Sequence, residues 1–376
     1  MLITVFWLSL LGAVFSYFLY PLILSFSPSR RGRPEAPSPS SSPRVTLIVT
    51  AHNEEKRIRE KINNCLALEY PNLEILIASD ASSDGTDQIV QEYASKGVML
   101  ARADERKGKE YAQLQAISRA TGDILVFSDV ATSIPEDAIG RMVSYFDDPA
   151  VGAVSSEDRF ISRDGSVAGE GAYVRYEMWL RGLESSKAGL VGLSGSFFAA
   201  RRSVCDAWDI YSPSDFNTAL SCARLGLVAV TAPDVLGYYR DVADAAREYQ
   251  RKVRTIIRGL TALSRHLEVL NPAKFGLFAF QVFGHKVMRW SVPWFQVLLL
   301  LTSVLLAGNG GIYGLVLAGQ LVFYGLAISG HLSPTLQRYT LVKIPYFFCQ
   351  VNLAVAHACI SFFSGKRMTV WAPSQR

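Results

Sequence analysis

From residue 45 to residue 155, short aliphatic runs alternate with stretches of helical periodicity. The runs are "VTLIVTA", "LEILIAS", "VMLA", "DILVFS" and "VGAVS". Runs this short, rich in β-branched residues and bounded by Gly, Pro, Asp and Ser, predict strands. The stretches between them predict helices over 54–68, 84–95, 109–120 and 135–147. Strands alternating with helices predict an α/β domain with a mostly parallel, doubly wound sheet. Ligands of such sheets bind at the carboxyl ends of the strands.

The pattern changes at both ends of the chain. Residues 2–26 carry no charge, and the run is long enough to cross a bilayer, which takes about 20 apolar residues. No basic residue precedes it and no small-residue cleavage site follows, so a spanning helix is expected rather than a cleaved signal peptide. Arg30, Arg31 and Arg33 follow at once. The positive-inside rule places that end in the cytoplasm and the N-terminus outside. Residues 291–307 and 312–330 predict a helical hairpin around "GNGG", with Arg289 before it and Arg338 and Lys343 after it. Residues 344–363 form a third C-terminal segment. Its exit bears Lys366 and Arg367, so it either spans against the charge bias or lies at the interface. The expected organisation is an N-terminal membrane helix (1–27), a Pro/Ser-rich linker (28–43), a catalytic domain (44–243), amphipathic interface helices (244–290), two to three membrane helices (291–363) and a tail (364–376). A multi-pass protein of a bacterial inner membrane with a cytoplasmic domain follows from this reading.

Composition agrees with a mixed chain. With 49% hydrophobic and 19% charged residues, it is too apolar for an ordinary soluble protein and too charged for a pure membrane bundle. The five cysteines form no CxxC pair, which argues for free thiols and against a zinc site. The net charge of +5 comes from juxtamembrane residues without an aromatic-basic patch, which argues against nucleic-acid binding. Arg247, Arg251, Arg254, Arg258 and Arg265 recur at helical steps. Val253, Ile256, Ile257, Leu260, Leu263 and Leu267 lie between them. That pattern predicts an amphipathic helix whose cationic side suits an anionic bilayer or a phosphate.

Polar residues cluster where the strands end. "TAHNEE" brings His52, Asn53 and Glu54, and "SDASSDGT" brings Asp80 with Asp84 as a helix cap. "FSDVAT" brings Asp129. A carboxylate at such a strand end often holds a metal ion against a nucleotide's phosphates. A companion acid two residues on is missing, because Ala131 stands there.

In order and spacing, "IVTAHNEE", "IASDASSDGT", "KGKEYAQLQAISRATGDILVFSDVAT" and "FDDPAVGAVSS" resemble the nucleotide-sugar half of family-2 inverting glycosyltransferases with the GT-A fold. The membrane-bound set is the one resembled: cellulose, chitin, hyaluronan and poly-N-acetylglucosamine synthases and ceramide glucosyltransferase. The resemblance covers roughly residues 44–290 and implies a Rossmann-like mixed sheet. It implies that Thr50, Ala51, His52, Asn53 and Glu54 cradle the donor nucleotide, with Thr50 in place of the usual proline. Asp80 would contact the base, and Lys109, after Gly108, the diphosphate. Asp129 would be the first acid of the family's DxD motif and would hold Mg2+ or Mn2+. In "YSPSDFNTAL", Asp215 matches the catalytic base, with Ser214 replacing the usual neighbouring acid. The QxxRW motif aligns with Arg251, Arg254 and Thr255, its glutamine replaced and its tryptophan absent. The missing tryptophan argues for a single transfer, to a lipid, over a processive synthase.

The leading expectation is therefore a metal-dependent transferase moving a sugar from a nucleotide-diphosphate donor, UDP-linked by the resemblance, to a lipid or growing glycan. The alternative is an inactive nucleotide- or glycan-binding subunit, motivated by Ala131, Ser214 and Thr255. Glu177 and Arg181 stand four apart, as in a helix ion pair, and "GLSGSFFAARR" (192–202) resembles the segment behind the acceptor pocket. Sugar, acceptor and oligomeric state are left open.

Overall fold

The structure is a computed structural model; it describes residues 1–30, 42–161, 172–240 and 245–368. Most of the Pro/Ser-rich linker, the start of the expected acceptor half near residue 169, and the side chain of Arg247 lie outside the described residues.

In chain order, α1 (Leu2–Val14) continues through a π-helical turn (Phe15–Leu19) into α2 (Tyr20–Phe26). Then come β1 (Val45–Ala51), α3 (Ile58–Leu66), β2 (Leu73–Ser79), α4 (Thr86–Glu92), β3 (Val98–Arg102), α5 (Lys109–Ile117), β4 (Ile124–Asp129) and α6 (Ala138–Ser144). They are followed by β5 (Val151–Ile161), α7 (Ala172–Lys187), β6 (Phe197–Arg201), α8 (Arg202–Cys205), α9 (Ser214–Arg224) and β7 (Val228–Arg240). The chain closes with α10 (Ala245–Arg265), α11 (Pro272–Val282), α12 (Met288–Leu306), α13 (Ile312–Leu332) and α14 (Thr340–Phe363). The chain divides into two compact units. One comprises Met1–Phe26, Asp244–Leu260 and Phe280–Arg367, the other Ser27–Ala243, Thr261–Ala279 and Met368–Arg376.

The second unit is built on a seven-stranded sheet of order β3-β2-β1-β4-β6-β5-β7 among the described residues. The first four strands are parallel. β6 runs antiparallel to both β4 and β5, and β5 pairs in parallel with β7. Every residue of β1 is buried, as expected of a central strand covered on both faces. Leu47 and Val49 face one apolar core with α3, α4 and α6; Ile48 faces the other with α5 and α9. Because β1 and β4 pair in register, Thr50 lies opposite Asp129. Predicted strands 45–51 and 73–79 match β1 and β2 end to end. The predicted helices start or end a few residues too wide, since capping turns share their polar pattern.

In the other unit, α1 packs on α12, with Phe6, Leu299 and Leu306 at the contact. Gly284 lies against Tyr20, where an added Cβ would meet the ring at 2.3 Å. Among the described residues, four helices are long and apolar enough to cross a membrane: Leu2–Phe26, Pro272–Asn309, Ile312–Leu332 and Thr340–Phe363. The expected apolar face of α10 is partly spoken for. Val253 and Ile257 pack on Ala354 and Ala358 of α14, and the Lys252 ammonium sits 4.1 Å from the Phe347 ring centre. A helix partner thus covers positions expected to rest on a bilayer, because small alanines on α14 allow close approach.

Candidate active site

Two strand ends are clasped together. The turn after β1 places Asn53 in the left-handed region at φ +53, which asparagine tolerates. Its Oδ1 accepts the Ser83 amide at 2.8 Å, and the Glu54 amide donates to Thr86 Oγ1 at 2.7 Å. The Glu55 amide donates to Asp84 Oδ2, while Glu55 Oε2 accepts the Gly85 amide. Asp84 also accepts the Thr86 amide at 3.0 Å, although Gly85, not Asp84 as expected, occupies the N-cap of α4. His52 Nδ1 lies 2.7 Å from the Asp80 carbonyl oxygen. Ala81, at φ +47, holds a strained conformation beside Asp80, of the kind that clusters at functional sites. Thr50, Ala51, His52 and Glu54 are all buried, so of the five residues expected to cradle the nucleotide only Asn53 is exposed. Burial raises the Glu54 carboxyl above its usual value, Arg57 opposes this, and Asp129 and Asp84 add to it.

Asp80 is fully buried. Its Oδ1 accepts the Lys107 and Gly108 amides at 3.1 and 3.0 Å, and Oδ2 accepts Gly108 at 3.1 Å. Gly108, at φ +106, adopts a conformation that favours glycine. The carboxylate thus closes the turn that launches α5, and α5 begins at Lys109. The Lys109 ammonium donates to Asp129 Oδ1 at 2.5 Å and to the Gly195 carbonyl at 2.8 Å. Asp129 stands at the end of β4, its amide bonded to the Ser196 carbonyl at 3.0 Å. The same Gly195 abuts the helix of Asp215: a Cβ built on Gly195 would stand 3.2 Å from Asp215 Oδ2. Asp215 lies in the first turn of α9. Its Oδ1 accepts the adjacent Phe216 amide at 2.9 Å, and its Oδ2 is the oxygen that faces Gly195. Lys109, Asp129, Gly195 and Asp215 form one continuous constellation.

Several residues around it escape motif reading. Lys61 is 2% exposed and donates to Ser128 Oγ at 2.8 Å and to the Thr132 carbonyl at 2.5 Å. It spans both ends of the turn that carries Asp129 and Ala131. Burial lowers the Lys61 ammonium below its usual value, and Cys65 and Asp129 counter this. A lysine on the buried stripe of Ile58, Ile62 and Cys65 is the signal that marks it in the sequence. Beside Ala131 is a cleft of about 180 Å3, with Arg57, Glu60, Lys61 and Asn64 in its lining. Asp158 on β5 accepts the Ser194 and Ser196 hydroxyls at 2.6 and 2.8 Å. It thereby holds the loop on either side of Gly195. Burial raises its carboxyl, and the two serines, Arg181 and Tyr239 oppose this. Arg181 reaches Ser155 Oγ at 2.5 Å. Glu110 Oε1 accepts the Ser214 amide at 3.3 Å, joining the first turn of α5 to that of α9.

The last group of expected residues lies in the other unit. Arg251 is bound by Glu248 through two bonds, 2.8 and 2.9 Å, on its own helix. Burial lowers the Arg254 guanidinium, helped by Arg258 and Arg251, and Thr255 is exposed.

A cation at Asp129 would find one carboxylate. No three His, Cys, Asp or Glu side chains converge among the described residues. Mg2+ and Mn2+ accept few protein ligands when phosphates and waters complete the shell. The residues present therefore fit such an ion jointly with a diphosphate.

A mixed sheet with its polar groups at the strand ends, and a carboxylate closing β4, is the GT-A arrangement of nucleotide-sugar transferases. Residues 46–208 match the model of glycosyl transferase family 2. The chain is 31% identical over 173 residues to poly-β-1,6-N-acetyl-D-glucosamine synthase of Staphylococcus aureus, covering 44% of this chain and 42% of that one. It is 28% identical over 173 residues to β-monoglucosyldiacylglycerol synthase of Synechocystis, covering 44% and 36%. The match thus spans under half the length of these relatives. In fold, the chain is similar to a mannosyltransferase from Pyrobaculum calidifontis solved in complex with GDP-Man and Mn2+. The TM-score is 0.72 at 22% identity, over 98% of this chain and 100% of that one.

Proposed function

We propose that the protein is a membrane-embedded inverting glycosyltransferase. It moves a sugar from a nucleotide-diphosphate donor, UDP-linked, to a lipid or growing glycan at the cytosolic face. The observation that carries this is the alignment of Asp215, Gly195, Lys109 and Asp129. One carboxylate stands beside a glycine gap, and a lysine-held carboxylate stands on the other side of it. The family match and the glycan- and glycolipid-synthase relatives support the reaction class. Four apolar helices support the membrane setting, and Arg30 after α2 supports a cytosolic domain.

In this reading Asp215 takes the proton of the acceptor hydroxyl as that oxygen attacks the anomeric carbon. The bond from the anomeric carbon to the diphosphate breaks, and the diphosphate leaves from the opposite face with the bonding electrons. The Lys109 ammonium and the first amides of α5 meet its charge. A Mg2+ or Mn2+ ion held by Asp129 and the diphosphate would supply further neutralisation of the leaving group. Asp80 acts through the 107–108 turn that it closes, and Gly195 lets the acceptor approach the base. Thr255, standing in place of the tryptophan of the QxxRW motif, supports a single transfer over processive synthesis.

Asp215→Asn should lower transfer by roughly 10²-fold or more while leaving donor affinity within about twofold, because only proton removal is lost. Initial rates and calorimetry with uridine diphosphate check it. Full activity of the variant overturns the assignment of the base. A binding subunit is the second reading, motivated by Ala131. Turnover by the purified protein with any nucleotide-sugar donor excludes it.

A further inference from the structure

The turn that presents Asp215 is held from an unexpected direction. Asp209 organises it: Oδ1 accepts the Tyr211 amide at 3.0 Å and Oδ2 accepts the Ser212 hydroxyl at 2.7 Å. Pro213 then starts α9, its carbonyl taking the Asn217 amide at 2.9 Å. On its near side the turn is anchored by Trp208, which stacks on Phe127 of β4 at 4.9 Å. Its indole N–H donates to the Glu110 carbonyl at 3.0 Å. On its far side the anchor is Arg265, the last residue of α10. Arg265 Nε donates to Asp209 Oδ2 at 2.7 Å, and its guanidinium lies 5.3 Å from the Tyr211 ring centre. Asp209 is 12% exposed while Arg265 is 47% exposed, so the pair is shielded on its carboxylate side only.

The sequence pattern assigns Arg265 to the cationic face of an amphipathic helix. The structure instead commits it to the catalytic turn. At a helix C-terminus an arginine needs no partner of this kind, since the helix dipole already favours it. The next pair along, Arg224 with Glu268 at 3.1 Å, is about 40% exposed on both sides and holds the C-terminal end of α9, not the turn that precedes Asp215. His266, between them, is lowered by burial and by Arg224.

We propose that Arg265 is a positioning residue: by gripping Asp209 it sets where Asp215 stands, and so ties the end of α10 to the base of the transfer reaction. This rests on the assignment of Asp215 above. The grip adds to the two bonds that Asp209 makes within the turn, so its loss moves the turn without unfolding it. A displacement of the order of 1 Å at a reacting group costs up to roughly 10²-fold in rate.

The test uses the full-length protein in detergent or lipid, with two readouts. Arg265→Gln should lower kcat about tenfold, keep the donor KM within about twofold, and speed amide exchange across 209–216. Arg265→Lys, which keeps the charge, should recover part of kcat. Arg224→Gln, which breaks the neighbouring exposed pair, should change neither readout. Unchanged exchange in Arg265→Gln, or faster exchange with unchanged kcat, overturns the proposal. So does an equal loss in Arg224→Gln. If Asp215→Asn keeps full activity, the base assignment fails by itself, and the exchange arm still decides whether Arg265 holds the turn.

Discussion

Asp129 lacks the second acid that would stand at Ala131, and an ammonium meets it instead. Lys109 touches the carboxylate directly, and Lys61 acts on it from beneath the turn. The site is thus richer in positive charge than its motif suggests, as a diphosphate requires. Asp158 shows the opposite case, a carboxyl that burial makes reluctant to ionise. Its folded-state value is raised above the ordinary 3.8, so it contributes stability below that value, lost as pH rises through the raised one. Asp158→Asn keeps an oxygen for Ser194 and Ser196 and removes the titration. Relative to the parent, the variant should therefore gain in thermal stability as pH rises from about 4 to 8. Melting temperatures of both proteins across that range check it; a difference independent of pH counts against it. Motif reading missed Asp158 because an acid in a strand carries no local sign that two serines close to forty residues away will hold it.

Among the elements, the strands were the most legible. Buried parallel strands read as unbroken aliphatic runs, and β1 and β2 match such runs end to end. The helices long and apolar enough to cross a membrane were legible for the same reason, since length and apolarity alone identify them. Their pairing was not, because lipid-facing and helix-facing residues are equally apolar. Glycines decide it locally. Gly284→Ala would put a methyl group 2.3 Å from the Tyr20 ring, where neither the helix backbone nor the ring has room to give. It should destabilise this unit by about 1–3 kcal/mol, read as a lower melting temperature in detergent. Gly314→Ala, with nothing near its added Cβ, is the control and should not. For α10, periodicity identified the amphipathic helix but not its partners: α14 for Val253 and Ile257, Asp209 for Arg265.

For the whole molecule, the proposed site with its single carboxylate at Asp129 would couple metal to donor. Binding of Mn2+ to the free protein should be weak, and uridine diphosphate should tighten it by about tenfold or more, since the phosphates supply the missing oxygens. By reciprocity Mn2+ should tighten the nucleotide by the same factor, and calorimetry in both orders measures it. Tight binding of Mn2+ to the protein alone overturns this account. The sequence by itself determined the α/β class, the family-2 motifs in their order and the four apolar helices. Each of these depends on local composition, periodicity and length. Only the tertiary structure decided that Lys109 and Gly195 bridge Asp129 toward Asp215, that Asp80 closes a turn instead of lying open, and that Arg265 belongs to the turn before Asp215. Those contacts join residues 20 to 86 positions apart, and nothing in either partner's neighbourhood along the chain encodes the meeting. The "FSDVAT" stretch is the sharpest case: its missing acid is plain in the sequence, and the lysines that surround its remaining one are visible only in the fold.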